Sequence, residues 1–207
     1  MGRGTGMKSW QQRERIVQTA ARIMAEEGVK DYFSAKQKAA DRLGVSRNSP
    51  NLPRNAEIEA ALAAYQRLFR ADTQPLQLRR MREIACEAMH FFRSFHPRLV
   101  GPVLSGLADG HSEITLHLFA ESLELVALHL ADAGIPHHLE ERRFRVGVRE
   151  PRPFPMLRFL VDGTPIAAVV FDVAAIRQAP VSPTTGRPME RASLARVQDL
   201  LSTAIAV

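Results

Sequence analysis

The sequence predicts an α+β protein: a helical N-terminal region over residues 1–74, then a minimal mixed sheet with flanking helices over residues 75–207. Three observations lead there. Apolar residues recur at helical spacing as far as Phe95, the period shortens to an alternation from about Val103 onward, and glycine or proline marks the changes. With 207 residues and 45% hydrophobic content, the chain can fill one globular domain, or a small domain with a helical appendage.

The elements follow in order. Ser9 is placed to cap a helix whose apolar stripe is Trp10, Ile16, Ala20, Ile23 and Met24, ending at Gly28. A second helix runs from Ser34 to Leu43 and stops at Gly44. In Val45–Asn55, Pro50 and Pro53 exclude regular helix. Asn55 caps a third, with Ile58, Leu62, Tyr65, Leu68 and Phe69 on one face. Pro75 opens a fourth, striped by Leu78, Met81, Ala85, Ala88, Phe92 and Phe95 and closed by Pro97. Val103-Leu104 then reads as a short strand leading into a glycine turn at Gly106, and Glu113–Phe119 alternates as a second strand. Ala120–Ala133 is an amphipathic helix ending at Gly134, and His137-His138 with Glu140-Glu141 reads as a polar turn. Strands are expected at Phe144–Val148, Leu157–Val161 and Ile166–Val173, the last two joined by the hairpin pair Asp162-Gly163. A proline-rich loop, Pro180–Pro188, leads to a closing helix built on Leu194, Val197, Leu200 and Leu201.

Composition narrows the function. The formal net charge of +6 favours anionic partners. A single cysteine, Cys86, excludes an intramolecular disulfide and a cysteine-rich zinc site, and its apolar neighbours suggest a small buried hydrophobe. Met1–Trp10 lacks the apolar core of a secretory signal, and no apolar run approaches the ~20 residues that cross a bilayer, so a cytoplasmic protein without a membrane partner is expected.

The stretch Gly101–Phe119, with Ser105-Gly106-Leu107 and Ser112-Glu113-Ile114-Thr115-Leu116, resembles the signature of the nucleotidyltransferase-fold (polymerase-beta-like) family over about Arg79 to Asp172. That signature is a glycine turn after a strand, an acidic pair at alternate strand positions, and a third carboxylate on a later strand. Alternate strand residues face one way, so such a pair aims at one Mg²⁺, which neutralises the phosphates in transfer. The resemblance implies Glu113 as metal ligand and Mg²⁺ as cofactor, with Glu113 and Thr115 at the catalytic pair. It also implies Ser105, Gly106 and Ser112 as phosphate-binding groups. The sequence departs from the pattern at Thr115, a neutral hydroxyl, and around Ala167-Ala168, where the third carboxylate is expected; Asp162 and Asp172 stand at the ends of that strand. The signature therefore points to a scaffold with its transfer chemistry reduced or lost.

His111, Glu113, Thr115 and His117 form a polar row, but His111 and His117 are six residues apart, roughly 20 Å along a strand, too far to share an ion. The run Arg142, Arg143, Arg145, Arg149, Arg152 and Arg158 suits phosphate, with Arg143 and Arg145 on one strand face as the preferred anion clamp; a protective charged edge strand is the alternative. Ala39–Ser46 resembles the core of a helix-turn-helix, which implies a DNA-binding regulator if a docking helix follows it, although Pro50 and Pro53 oppose one. The phosphate-loop, nucleophile-elbow and His-Glu-x-x-His motifs are missing. The whole chain also resembles short proteobacterial proteins labelled muramate–alanine ligase, yet an ATP-driven ligase needs that phosphate loop and a longer multidomain chain. The expected function is thus a nucleotidyltransferase-like protein that binds nucleotide or RNA phosphate with weak or no catalysis. The alternatives are a helix-turn-helix regulator of DNA and a non-catalytic protein-interaction module.

Overall fold

The computed structural model describes residues 3–69, 73–148 and 150–203, with side chains from Ser9 onward. The chain divides into two compact units, residues 1–74 with 183–185, and residues 75–182 with 186–207.

The first unit is three helices: α1 (Arg3–Glu27), α2 (Tyr32–Arg42) and α3 (Asn55–Phe69). Ile16, Ala20, Ile23 and Met24 of α1 pack with Ala35 and Ala39 of α2 and Ile58 and Leu62 of α3. Three apolar residues placed on stripes by spacing are not core: Trp10, Leu68 and Phe69 are at least 64% exposed. Ser9 lies inside α1 and not at its start, and its hydroxyl donates to Asn51 at 2.8 Å. The cap of α2 is Asp31, whose carboxylate accepts from the Ser34 N–H at 2.7 Å. Residues 43–54 hold turns and no helix.

The second unit is a five-stranded mixed sheet in the order β1-β2-β5-β4-β3, so the fold is α+β. The strands are β1 (Arg98–Val100), β2 (Ile114–Phe119), β3 (His137–Phe144), β4 (Arg152–Val161) and β5 (Thr164–Phe171). β2 and β5 are parallel and the other neighbours antiparallel. The accompanying helices are α4 (Gln74–Phe91), α5 (Pro102–Ser105), α6 (Leu123–Asp132) and α7 (Leu194–Thr203). On one face of the sheet, Ile114, Leu116, Leu118, Leu157, Ile166 and Ala168 pack against Ile84 and Met89 of α4, Leu130 of α6 and Val197 of α7. On the other, Phe119, Phe144, Phe154, Met156, Ala167, Val169 and Phe171 meet Ala175, Ile176 and Met189 from the segment after β5.

Several expectations are corrected here. Val103-Leu104 is not a strand but the body of α5; the first strand is Arg98–Val100, and the glycine that follows it is Gly101. Two buried aliphatic residues before a glycine suit either element, and four residues are too few to show a period. The polar segment 137–143 is not a turn: it is most of β3, an edge strand exposed on both faces, which has no apolar alternation to display. The strand expected at Phe144–Val148 is confined to its first residue, as β3 ends there. α4 stops at Phe91, and a 3-10 turn over Arg93–Phe95 carries the chain to Pro97. The hairpin at Asp162-Gly163 stands: both residues have positive φ, 49° and 74°, the geometry that two-residue turns require.

Candidate functional site

The sheet register defines the site. Thr115 on β2 lies beside Ala167 on β5, and Ala167 lies beside Arg158 on β4. Pleating puts all three on the face away from α4 and α6, together with Glu113, one residue before β2. The positions at which the resemblance implies three carboxylates therefore hold one carboxylate, one hydroxyl and one methyl. Asp162 and Asp172 do not fill the gap. Asp162 sits in the turn before β5, four residues from Ile166 and so roughly 13 Å along the strand, and Asp172 follows Phe171 at the strand's far end, roughly 20 Å from Ile166.

Glu113 is engaged by arginines. Its side chain is 11% exposed, and its two oxygens face different guanidinium groups: Arg158 Nη2 at 3.1 Å and Arg142 Nη1 at 3.5 Å. Arg158 also donates through Nη1 to Glu140 at 3.0 Å, so one guanidinium bridges two carboxylates. Among the described residues, Glu113, Glu140, Arg142 and Arg158 are thus joined by ion pairs. Magnesium wants hard oxygen ligands and open positions for water and phosphate. A lone carboxylate already facing two cations, beside Thr115 and Ala167, does not fit that demand. Among the described residues no three acidic, histidine or cysteine side chains cluster to hold a metal.

The remaining residues singled out from sequence are dispersed. Ser105 and Gly106 end α5: the Ser105 hydroxyl bonds the Pro102 carbonyl at 3.4 Å, and Gly106, at φ 85°, is the C-cap. Ser112 closes a turn with Asp109. Its hydroxyl accepts from the Asp109 N–H at 3.0 Å and donates to the Asp109 carboxylate at 3.1 Å, which also takes the His111 N–H at 2.9 Å. This turn aims the chain into Glu113 and β2. Arg143 alternates with Arg142 on β3 and so projects to the opposite face from Glu113, donating to the Pro151 carbonyl at 2.6 Å. Arg145 lies beyond the end of β3, exposed, and Arg149 lies outside the described residues.

Sequence reasoning passed over two groups that shape this face. Gly101, between β1 and α5, has φ 76° and ψ −156°, a conformation open essentially to glycine alone, and its missing side chain would point toward the Thr115 hydroxyl. Arg191 enters from the segment after β5. Its Nε donates to His117 Nδ1 at 3.1 Å, its Nη1 donates to the Ala175 and Ile176 carbonyls, and its guanidinium lies over the rings of Phe119 and Phe171. Burial, with Arg98 nearby, lowers the Arg191 pKa to about 10. His117 is fully buried; burial first, then the charges of Arg191 and Arg142, push its pKa down to about 3. Since an arginine N–H only donates, the imidazole accepts at Nδ1 and keeps its proton on Nε2. That N–H has no hydrogen-bond partner among the described residues, and the ring meets Phe144 edge to face at 5.6 Å. Cys86, on α4, is half-buried with its thiol pKa pushed up by burial, and faces none of this.

A helix-turn-helix would need a docking helix directly after the turn at Gly44. Residues 43–54 provide none, and α3 begins only at Asn55. Among the described residues, no helix is long and apolar enough to cross a membrane. No protein-family model, curated protein or solved structure matches the chain.

Proposed function

We propose that the second unit is a nucleotidyltransferase-like scaffold that binds a phosphate group of a nucleotide or RNA through arginine side chains, with little or no metal-dependent transfer chemistry. One observation carries the binding half: at the end of the β3–β4 pair Arg152 stands opposite Phe144, and Arg145 follows directly on from β3. Arg145 and Arg152 are exposed and make no ion pair among the described residues. Arg152 lies over the ring of Phe154 at 4.6 Å. A guanidinium lying on a ring keeps its N–H edge free for the two-point hydrogen bonding that phosphate favours. The limited-catalysis half is supported by the content of the acidic positions, which is Glu113, Thr115 and Ala167.

The test is fluorescence anisotropy with a labelled single-stranded RNA and a labelled nucleotide, in EDTA and in Mg²⁺, across a salt series. Binding is expected in EDTA, and affinity should fall with salt by about 0.7 in log–log slope for each phosphate contact with single-stranded RNA. Arg145→Ala/Arg152→Ala should flatten that slope and weaken binding at least tenfold. Binding that needs Mg²⁺, or none to either ligand at low salt, would refute the proposal.

A further inference from the structure

We infer that Arg158 is the resident cation of this site, bridging Glu113 and Glu140 where a divalent ion would otherwise be required, and that its presence closes the site to metal. The inference deepens the metal-independent reading above, but its test measures stability and metal affinity, so it stands or falls whether or not a nucleotide binds.

Glu113 is nearly buried, and a carboxylate so placed needs a countercharge. The cross-strand row supplies one. Arg158 starts on β4, and Ala167 stands between it and β2. Ala167 is fully buried and offers only a methyl group, which leaves the guanidinium a path across β5 to Glu113. A larger side chain at Ala167 would stand in that path. Arg158 also differs from Arg82 and Arg191, the half-buried arginines that brace the loops of this unit. Arg82 donates to the Val103 and Leu104 carbonyls and latches α4 to α5, and Arg191 donates to the Ala175 and Ile176 carbonyls. Among the described residues the side-chain partners of Arg158 are carboxylates alone, and its buried Nε makes no hydrogen bond. It is held by charge, as an ion is. With Arg142 also at Glu113, a divalent ion arriving there would meet two guanidinium groups at contact distance, and repulsion excludes it.

Thermal melts in EDTA and in millimolar Mn²⁺, with bound Mn²⁺ read directly by paramagnetic resonance, decide the matter. Wild type should bind no Mn²⁺ and melt identically in both. Arg158→Ala should melt several degrees lower in EDTA, and Mn²⁺ should restore part of the loss, because the ion can then take the place of the guanidinium between Glu113 and Glu140. Glu113→Gln/Arg158→Ala should regain stability in EDTA and lose the Mn²⁺ response. A merely structural arginine would show neither behaviour. Should Arg158→Ala fail to fold, Ala167→Asp answers with Arg158 in place: the new carboxylate should meet the guanidinium, and no Mn²⁺ should bind. Mn²⁺ binding by wild type that is lost in Glu113→Gln, Mn²⁺ binding by Ala167→Asp, or a folded Arg158→Ala indifferent to both Mn²⁺ and Glu113→Gln would each overturn the inference.

Discussion

Acid should loosen the sheet through His117. The folded imidazole accepts the Arg191 Nε–H at 3.1 Å, so protonating it would set two donors against each other and add a third positive charge beside Arg191 and Arg142. Burial and those charges hold its pKa at about 3, against 6.5 for the free side chain. The sign follows from proton uptake: a depressed histidine gives its full stability above the unfolded pKa, and loses it as pH falls from 6.5 toward about 3. In that window the unfolded ring binds a proton that the folded one refuses. At about 1.4 kcal/mol per pH unit, the loss from this group between about pH 7 and about pH 4 is on the order of 3 kcal/mol. His117→Asn keeps an acceptor near the Nδ1 position and has nothing to titrate. Native-state hydrogen exchange of the β2 and β5 amides, in urea at both pH values, reports the unit that holds His117 and not the helices around Trp10. Wild type should lose about 3 kcal/mol more than His117→Asn between the two conditions. Equal losses would show that the imidazole titrates freely in the folded state and would remove the Arg191 contact as a determinant of this face.

Two further outcomes are expected. Gly101→Ala should destabilise the second unit by about 1–3 kcal/mol, because φ 76° with ψ −156° is a glycine conformation, whereas Gly106→Ala, in the ordinary left-handed region at φ 85° and ψ 9°, should cost about 1 kcal/mol; urea melts of both variants check the order. In the first unit, hydrogen bonding from Arg13, aided by the Arg54 N–H, holds the Glu57 pKa at about 2. Glu57→Gln should therefore cost about 1 kcal/mol at neutral pH, a figure discounted for the 39% exposure of the side chain, and the gap to wild type should close as pH falls from 4.5 toward 2, seen by circular dichroism melts.

What the sequence revealed, and what it hid, follows the range of each signal. The Asp162-Gly163 turn and the alternation of Ile114, Leu116 and Leu118 were legible because both are local: a positive-φ pair and a buried face at period two. β3 was hidden because an edge strand with solvent on both faces carries no hydrophobic period, and α5 because its four residues complete barely one turn. Trp10, Leu68 and Phe69 share helical spacing with true core residues, and spacing alone does not distinguish a stripe that is covered from one that is not. At the site, Glu113 was legible from its place in the strand. Its partner was not: Arg158 is 45 residues away, and only the β2–β5–β4 register brings the two together.

That register also changes what an alanine means. Along the sequence, Ala167 is a missing acid, one reason to expect lost chemistry. Across the sheet, it is the space through which Arg158 reaches Glu113. A carboxylate at Ala167 with Arg158 opposite would pair with it, drawing the guanidinium back from Glu113, while a bulky apolar residue would block it outright. Alanine is among the few residues that allow the bridge. Glu113, Glu140 and the two arginines are therefore one coupled arrangement, and a single acidic substitution at Ala167 is expected to rearrange its ion pairs without opening a metal site.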